Sequence, residues 1–226
     1  MIIEILYPSN CNLFGDRGNI VYLKQCLKKA KYIETSMDKE PYFVKHKVDL
    51  IYMGPTSEKT QEIIISKLLP YKNKINKLID NNTVFLLTGN ALEIFGKKII
   101  DKDGTIVECL GLLDVIAHRD MFARTSSIFL GKYNDLDIVG FQSQFTLLET
   151  NENKIIEKKY GIGLNNDGYG AIRKNNLIAT PLLGPILIMN PLFTKRALRL
   201  DTLPYEEELM QAYNTRLTEF TNIANR

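Results

Sequence analysis

Residues 84–96 read Val84-Phe85-Leu86-Leu87-Thr88-Gly89-Asn90-Ala91-Leu92-Glu93-Ile94-Phe95-Gly96. The apolar run from Val84 to Leu87 predicts a buried parallel strand, and Thr88-Gly89-Asn90 a tight turn. The helix that follows can pack Leu92, Ile94 and Phe95 back on the sheet. A strand–turn–helix of this kind is one way to present a reactive Ser or Cys. It exposes the side chain at a helix start, where backbone N–H groups and the helix dipole favour an anion. Here the tip is Gly89, which has no side chain.

Working outward, the first half alternates strand and helix. Ile2–Tyr7 reads as a strand, and Gly15-Asp16-Arg17-Gly18-Asn19 leads into an amphipathic helix bearing Ile20, Leu23, Cys26 and Leu27. Strands follow at 32–37 and 48–53, and a helical region from Glu58 to about Asp80 is divided by Pro70. Such alternation predicts a mostly parallel, doubly wound α/β sheet flanked by helices, with ligands at the carboxyl ends of its strands. Beyond residue 97 the period changes. Segments 98–100 and 105–107 flank a turn-rich Asp101-Lys102-Asp103-Gly104, and longer extended segments are expected at 121–132 and 137–149. A Gly- and Asn-rich loop from Gly161 to Gly168 precedes short strands near 170–173 and 177–180, then helices from Pro191 and over 205–224. Without internal repeats or a low-complexity linker, residues 1–226 are expected to form one domain with an antiparallel addition.

Composition excludes several classes. The 226 residues carry 29 basic and 26 acidic side chains, a balance that does not point to nucleic acid. Lysines such as Lys28, Lys29, Lys31, Lys72, Lys74 and Lys77 read as solvated faces. The opening Met-Ile-Ile-Glu-Ile-Leu-Tyr reads as a strand and not a signal peptide, because Glu4 interrupts it and no basic leader precedes it. No apolar run reaches the ~18–20 residues needed to span a bilayer, so a cytoplasmic location is expected. Cys11, Cys26 and Cys109 lack CxxC spacing and suggest neither a disulfide framework nor a zinc site. The two histidines, His46 and His118, lie away from the motifs, His118 in a stretch that reads as an exposed loop. No metal and no cofactor are expected.

Five segments in order carry a resemblance. Leu6-Tyr7-Pro8 through Gly15-Asp16-Arg17-Gly18-Asn19-Ile20 resembles the opening of the cobyric-acid-synthase-like class I glutamine amidotransferases, and most of all the glutaminase subunits of lipid II isoglutaminyl synthases. Residues 89–96 are similar to that family's Cys-Gly-Gly-Tyr-Gln-Leu-Leu-Gly, and Leu110-Gly111-Leu112-Leu113 to its Gly-Leu-Gly-Leu-Leu. The 161–166 loop is similar to Gly-x-Gly-Asn-Asn, and residues 180–191 to Thr-Tyr-Leu-His-Gly-Pro-Leu-Leu-Pro-Lys-Asn-Pro. The resemblance implies a class I amidotransferase-like, flavodoxin-like fold. It also implies chemistry in which a Cys thiolate attacks the glutamine side-chain amide, a His handles protons and backbone donors hold the oxyanion. By the same resemblance, ammonia would pass to a Mur-ligase-like partner acting on peptidoglycan precursors.

At the positions matching that machinery this sequence departs from it. The Cys position falls on Gly89 and the His position on Leu183. The family's Gly-Gly-Gly-Gln-Asp appears as Met53-Gly54-Pro55-Thr56-Ser57, where Pro55 removes a backbone donor. Its Asn-His-x-Gly-Arg appears as Ser143-Gln144-Phe145-Thr146-Leu147, without the arginine. Loss of a nucleophile or base costs on the order of 10⁶ in turnover, and a surviving oxyanion hole retains only roughly 10³–10⁴ over water. The sequence therefore predicts a catalytically degenerate, glutaminase-like subunit that binds a partner ligase. One alternative is an active amidotransferase or amidohydrolase with a relocated nucleophile, Cys11 being the candidate because it follows the first strand. Another is a module that binds a small, glutamine-like ligand in the emptied pocket. Asp16, Arg17, Asn19, Gly54, Asn165, Asn166 and Gly184 are the candidate binding residues. Asp16 either caps its helix or belongs to a surface for a partner or small anion, and Asn165-Asn166 is either a binding loop or a turn. Thr88 reads as a turn residue bonded to backbone.

Overall fold

A computed structural model describes residues 1–165 and 167–226; the expected binding residue Asn166 lies outside the described residues. The first half forms β1 (Ile2–Leu6), α1 (Arg17–Cys26), β2 (Lys31–Thr35), β3 (Leu50–Met53), α2 (Glu58–Leu68), α3 (Lys72–Asp80), β4 (Val84–Thr88) and α4 (Ala91–Phe95). The single turn Leu69–Tyr71, with Pro70 inside, separates α2 from α3, as expected from proline's missing N–H. Ser57 starts α2 by accepting the Thr60 N–H on its hydroxyl, the usual solution for an orphan donor at a helix start.

The second half contributes β5 (Lys98–Asp101), β6 (Ile106–Glu108), β7 (Val115–Arg119), β8 (Thr125–Tyr133), β9 (Leu136–Gln144), β10 (Thr146–Thr150), β11 (Asn153–Lys154), β12 (Glu157–Tyr160), β13 (Ile172–Lys174) and β14 (Leu177–Thr180). Helices α5 (Ile186–Met189), α6 (Pro191–Ala197) and α7 (Glu206–Ala224) close the chain. The main sheet runs β11-β13-β14-β4-β3-β1-β2, its last five strands parallel. That parallel set has the 2-1-3-4-5 order of flavodoxin-like sheets, with β14 as the fifth strand. A four-stranded sheet (β10-β7-β5-β6) and a three-stranded antiparallel sheet (β12-β8-β9) form the addition.

One expected strand and one expected loop need correction. The extended segment expected at 137–149 is β9 and β10, which belong to different sheets and part at Phe145. The stretch around His118 is a strand, β7, and not a loop: Val115, Ala117 and Arg119 face inward while His118 points out and lies 3.1 Å from Glu149.

Apart from the edge strand β2, the parallel strands are largely buried on both faces. One core (Leu6, Ile51, Met53, Phe85, Leu87) packs against α2, α3 and α4, and the other (Ile3, Ile5, Leu50, Tyr52, Leu86) against α1, α5 and α6. All five residues of α4 are buried, Glu93 among them. Every apolar side chain of the elbow helix is therefore spent on packing.

Candidate functional site

The predicted elbow forms. Gly89 has φ +57°, the left-handed conformation in which glycine meets no steric cost and in which a strained strand-to-helix turn exposes its tip. A Cβ built on Gly89 would lie 2.6 Å from Pro55 Cβ and 2.8 Å from Leu183 Cδ2. Those are two of the positions where the resemblance leads one to expect catalytic machinery. The tip is thus lined by a pyrrolidine ring on one side and an isobutyl group on the other, with Leu183 only 3% exposed.

Beside this tip lies a cavity of about 190 Å³, lined among others by Phe14, Asn90, Glu93, Arg124, Gln144 and Phe145. Asn90 spends its amide on the Thr56 backbone, accepting the N–H at 2.9 Å and donating to the carbonyl at 2.8 Å. That exchange occupies a backbone donor at the cavity edge. Arg124 lies over the Phe14 ring at 5.4 Å and the Phe145 ring at 5.5 Å, and its Nε donates to Ser143 Oγ at 2.8 Å.

Glu93 is the cavity's buried acid, 4% exposed. Its Oε1 accepts from Thr146 Oγ1 at 2.5 Å and its Oε2 from Gln61 Nε2 at 2.8 Å. Burial pushes its carboxyl up to about 7, against the pull of those two neutral donors and of the Arg119 charge. Glu93 is hidden in the sequence because it sits among Leu92, Ile94 and Phe95 on a short helix whose apolar residues pack on the sheet. Its signal was an acidic residue on an element with no solvent face. Arg124 is hidden for another reason: no motif marks it, and it reaches the cavity from the connection just ahead of β8, remote in sequence.

The expected binding residues fall elsewhere. Asp16 is fully buried below the elbow, where it accepts from Thr88 Oγ1 (2.8 Å), Asn19 Nδ2 (3.0 Å) and the Tyr52 hydroxyl. It makes no side-chain cap to α1 and presents no surface to solvent. Burial raises its pKa to about 6, opposed by those three hydrogen bonds. Asn19 Oδ1 accepts the Leu187 N–H at 2.9 Å and pins α5 to α1. Gly54 lets the chain pass close beneath this network: a Cβ there would meet Asp16 Oδ2 at 2.2 Å and the Cys11 carbonyl oxygen at 2.6 Å. Arg17 is exposed, Asn165 accepts the Asp167 N–H in a local turn, and Gly184 takes φ +70° in another. None of Asp16, Arg17, Asn19, Gly54, Asn165 and Gly184 lines the cavity.

Cys11 is also absent from the cavity wall. It is 1% exposed, and burial pushes its thiol up to about 12, opposed by the neighbouring Thr56 side chain, with the Asp16 charge adding to the rise. A thiol so placed is almost wholly protonated at neutral pH and is a poor nucleophile. The Thr88 hydroxyl is fully buried and donates to Asp16. Among the described residues no group of three or more His, Cys, Asp or Glu side chains could hold a metal, and no helix is long and apolar enough to cross a membrane.

A parallel 2-1-3-4-5 sheet with a left-handed turn and a cavity at its carboxyl edge defines a glutamine-amidotransferase-like α/β architecture. Solved structures share it: the PurLQS structure from Thermotoga maritima aligns with a TM-score of 0.57 at 11% identity, covering 96% of this chain and 98% of that one. A crystallised glutamine amidotransferase aligns with the same TM-score at 14% identity over 88% of this chain and 98% of its own. Residues 2–187 match the CobB/CobQ-like glutamine amidotransferase domain, and the chain belongs to that family. It is 28% identical over 182 residues to the lipid II isoglutaminyl synthase (glutamine-hydrolyzing) subunit GatD of Staphylococcus aureus, covering 79% of this chain and 75% of that protein. To the GatD subunit of Streptococcus pneumoniae it is 26% identical over 199 residues, covering 83% and 75%.

Proposed function

We propose that this chain is a single glutaminase-like unit that has lost glutamine hydrolysis and serves as a partner-binding subunit. The observation that carries the reading is the elbow tip: a glycine held in the left-handed conformation, with Pro55 and Leu183 closing over the place a thiol would occupy. A glutaminase of this family needs a thiolate there and a proton carrier beside it. Neither a leucine nor a proline can move a proton. The left-handed elbow persists with side chains packed around it, which supports a protein kept for its shape and contacts.

The GatD relatives are named as subunits of a lipid II isoglutaminyl synthase, which suggests by similarity a protein partner for this chain as well. By the resemblance, that partner is a Mur-ligase-like protein that activates a carboxylate on a peptidoglycan precursor. In this reading the chain supports the ligase's assembly, and nitrogen reaches it as ammonia from solution. Co-expression with a Mur-ligase-like protein of the same genome, followed by size-exclusion chromatography and an amidation assay, tests this. Co-elution with amidation supported by ammonium and not by glutamine is expected. Separate elution, or amidation driven by glutamine, would overturn the reading.

A further inference from the structure

We propose that a second cavity, at the amino ends of the parallel strands, binds a small organic oxyanion, a carboxylate or a phosphate ester carried on an apolar body. This cavity of about 430 Å³ lies at the pole opposite the elbow. It shares no residue with the elbow cavity and stands whether or not glutamine is hydrolysed. Leu50 and Val84, the first residues of β3 and β4, line it with Ile178 of β14. Leu27, which caps the end of α1, and Leu198, which caps the end of α6, complete an apolar wall. Small-molecule pockets fall in the range of roughly 300–1,000 Å³. The Tyr133 ring meets Phe193 edge-on at 5.4 Å, while its hydroxyl, also in the lining, has no hydrogen-bond partner among the described residues.

Charge in that wall is unevenly spent. Arg173, Arg196 and Arg199 line the cavity with a single carboxylate, Asp49. Arg196 gives its fork to Asp135 at 2.5 and 3.1 Å, and Asp49 Oδ2 accepts the Ile2 N–H at 2.7 Å. Arg173 donates Nε to the Asn175 carbonyl oxygen at 2.8 Å, which holds the guanidinium and leaves both Nη groups unspent. The Arg199 guanidinium bonds no group, and neither it nor Arg173 has a carboxylate within 4 Å among the described residues. Arginines at the carboxyl end of α6 also serve its dipole, which carries roughly half a negative charge. That role does not account for Arg173, which is on β13, or for the free Tyr133 hydroxyl, which is on β8. Arg199 holds φ +54°, a left-handed position that glycine takes without steric cost, and an arginine stands there at the cavity wall. A guanidinium fork pairs its N–H groups with the oxygens of a carboxylate or phosphate. An apolar body on the same ligand covers the leucine, isoleucine and valine side chains. A cation would meet repulsion, and a neutral molecule would leave both guanidiniums unpaired.

Isothermal titration of the full chain with sodium 2-naphthoate and with 2-naphthyl phosphate tests the proposal. Naphthalene-2-methanol, 2-naphthylmethylammonium chloride and sodium acetate at equal ionic strength are the comparators. At least one naphthyl anion is expected to bind about tenfold or more tightly than every comparator, and the tighter of the two identifies the head group. Arg173→Gln and Arg199→Gln should each weaken that binding about tenfold, as expected for one lost charge-assisted hydrogen bond. The melting temperature of each unliganded variant should match that of the parent chain. Lys74→Gln removes an exposed positive charge on α3 and should leave the affinity unchanged. Binding of neither anion, equal binding of the alcohol or the ammonium, or affinity unchanged in either arginine variant would overturn the site.

Discussion

At Gly89 the backbone and the side chains around it give opposite signals. The backbone keeps φ +57°, while Pro55 and Leu183 occupy the space a larger residue would need. Gly89→Cys therefore does not restore a nucleophile. It forces a Cβ into contacts of 2.6 and 2.8 Å at a left-handed position, and about 2–4 kcal/mol of stability should be lost. Denaturant melts check this, and part of the loss should return when Pro55→Gly and Leu183→Ala are added. Cys11 yields a second expectation. Iodoacetamide near pH 7.5 should modify half-buried Cys26 before buried Cys11 and Cys109, as followed by peptide mass spectrometry. Rapid labelling of Cys11 would revive it as a nucleophile. Glu93 and Asp16 make a third case, since burial raises both above their ordinary values, to about 7 and about 6. The folded state then holds protons the unfolded chain has released. Their stabilising contribution is complete below about pH 4 and is lost as pH rises through 6 and 7. Melting temperature should fall between pH 5 and 8, and Glu93→Gln should flatten the upper part of that slope.

At the scale of elements, one buried network holds the elbow strand in place. Asp16, ahead of α1, ties Tyr52 of β3 to Thr88 at the end of β4, and Asn19 of α1 reaches α5. Tyr52→Phe removes a donor to a buried carboxylate without changing shape, and about 1–3 kcal/mol should be lost in equilibrium unfolding. A loss under a few tenths would mean that Thr88 and Asn19 suffice. Elements of strong period were legible from sequence. The Val84–Leu87 run, the Pro70 break and the hairpin around Asp101–Gly104 all stand where the pattern put them, because each rests on local chemistry. The strand β7 was not, since its inward face carries Arg119, whose partners Asp101 and Glu62 are remote in sequence. The change of sheet at Phe145 was equally hidden. The chain bends at Phe145 and carries no Gly, Pro or Asn-Gly there to mark it.

For the whole molecule, fold and family were readable because the parallel core depends on runs of apolar residues and on glycine turns, none of which needs a catalytic side chain at Gly89 or Leu183. The cavity was only half readable. Its emptied positions, Gly89 and Leu183, showed as departures from a known pattern. Its occupants, Glu93, Arg124 and Phe14, converge from three distant segments and have no common sequence signature. We propose that a scaffold with Gly89 and Leu183 at these positions does not hydrolyse glutamine. The most direct test is glutamate release from glutamine by the purified chain, alone and with a co-expressed Mur-ligase-like partner. No turnover above a buffer control is expected in either case, nor from Cys11→Ala. Turnover that appears with the partner, or that disappears in Cys11→Ala, would contradict it.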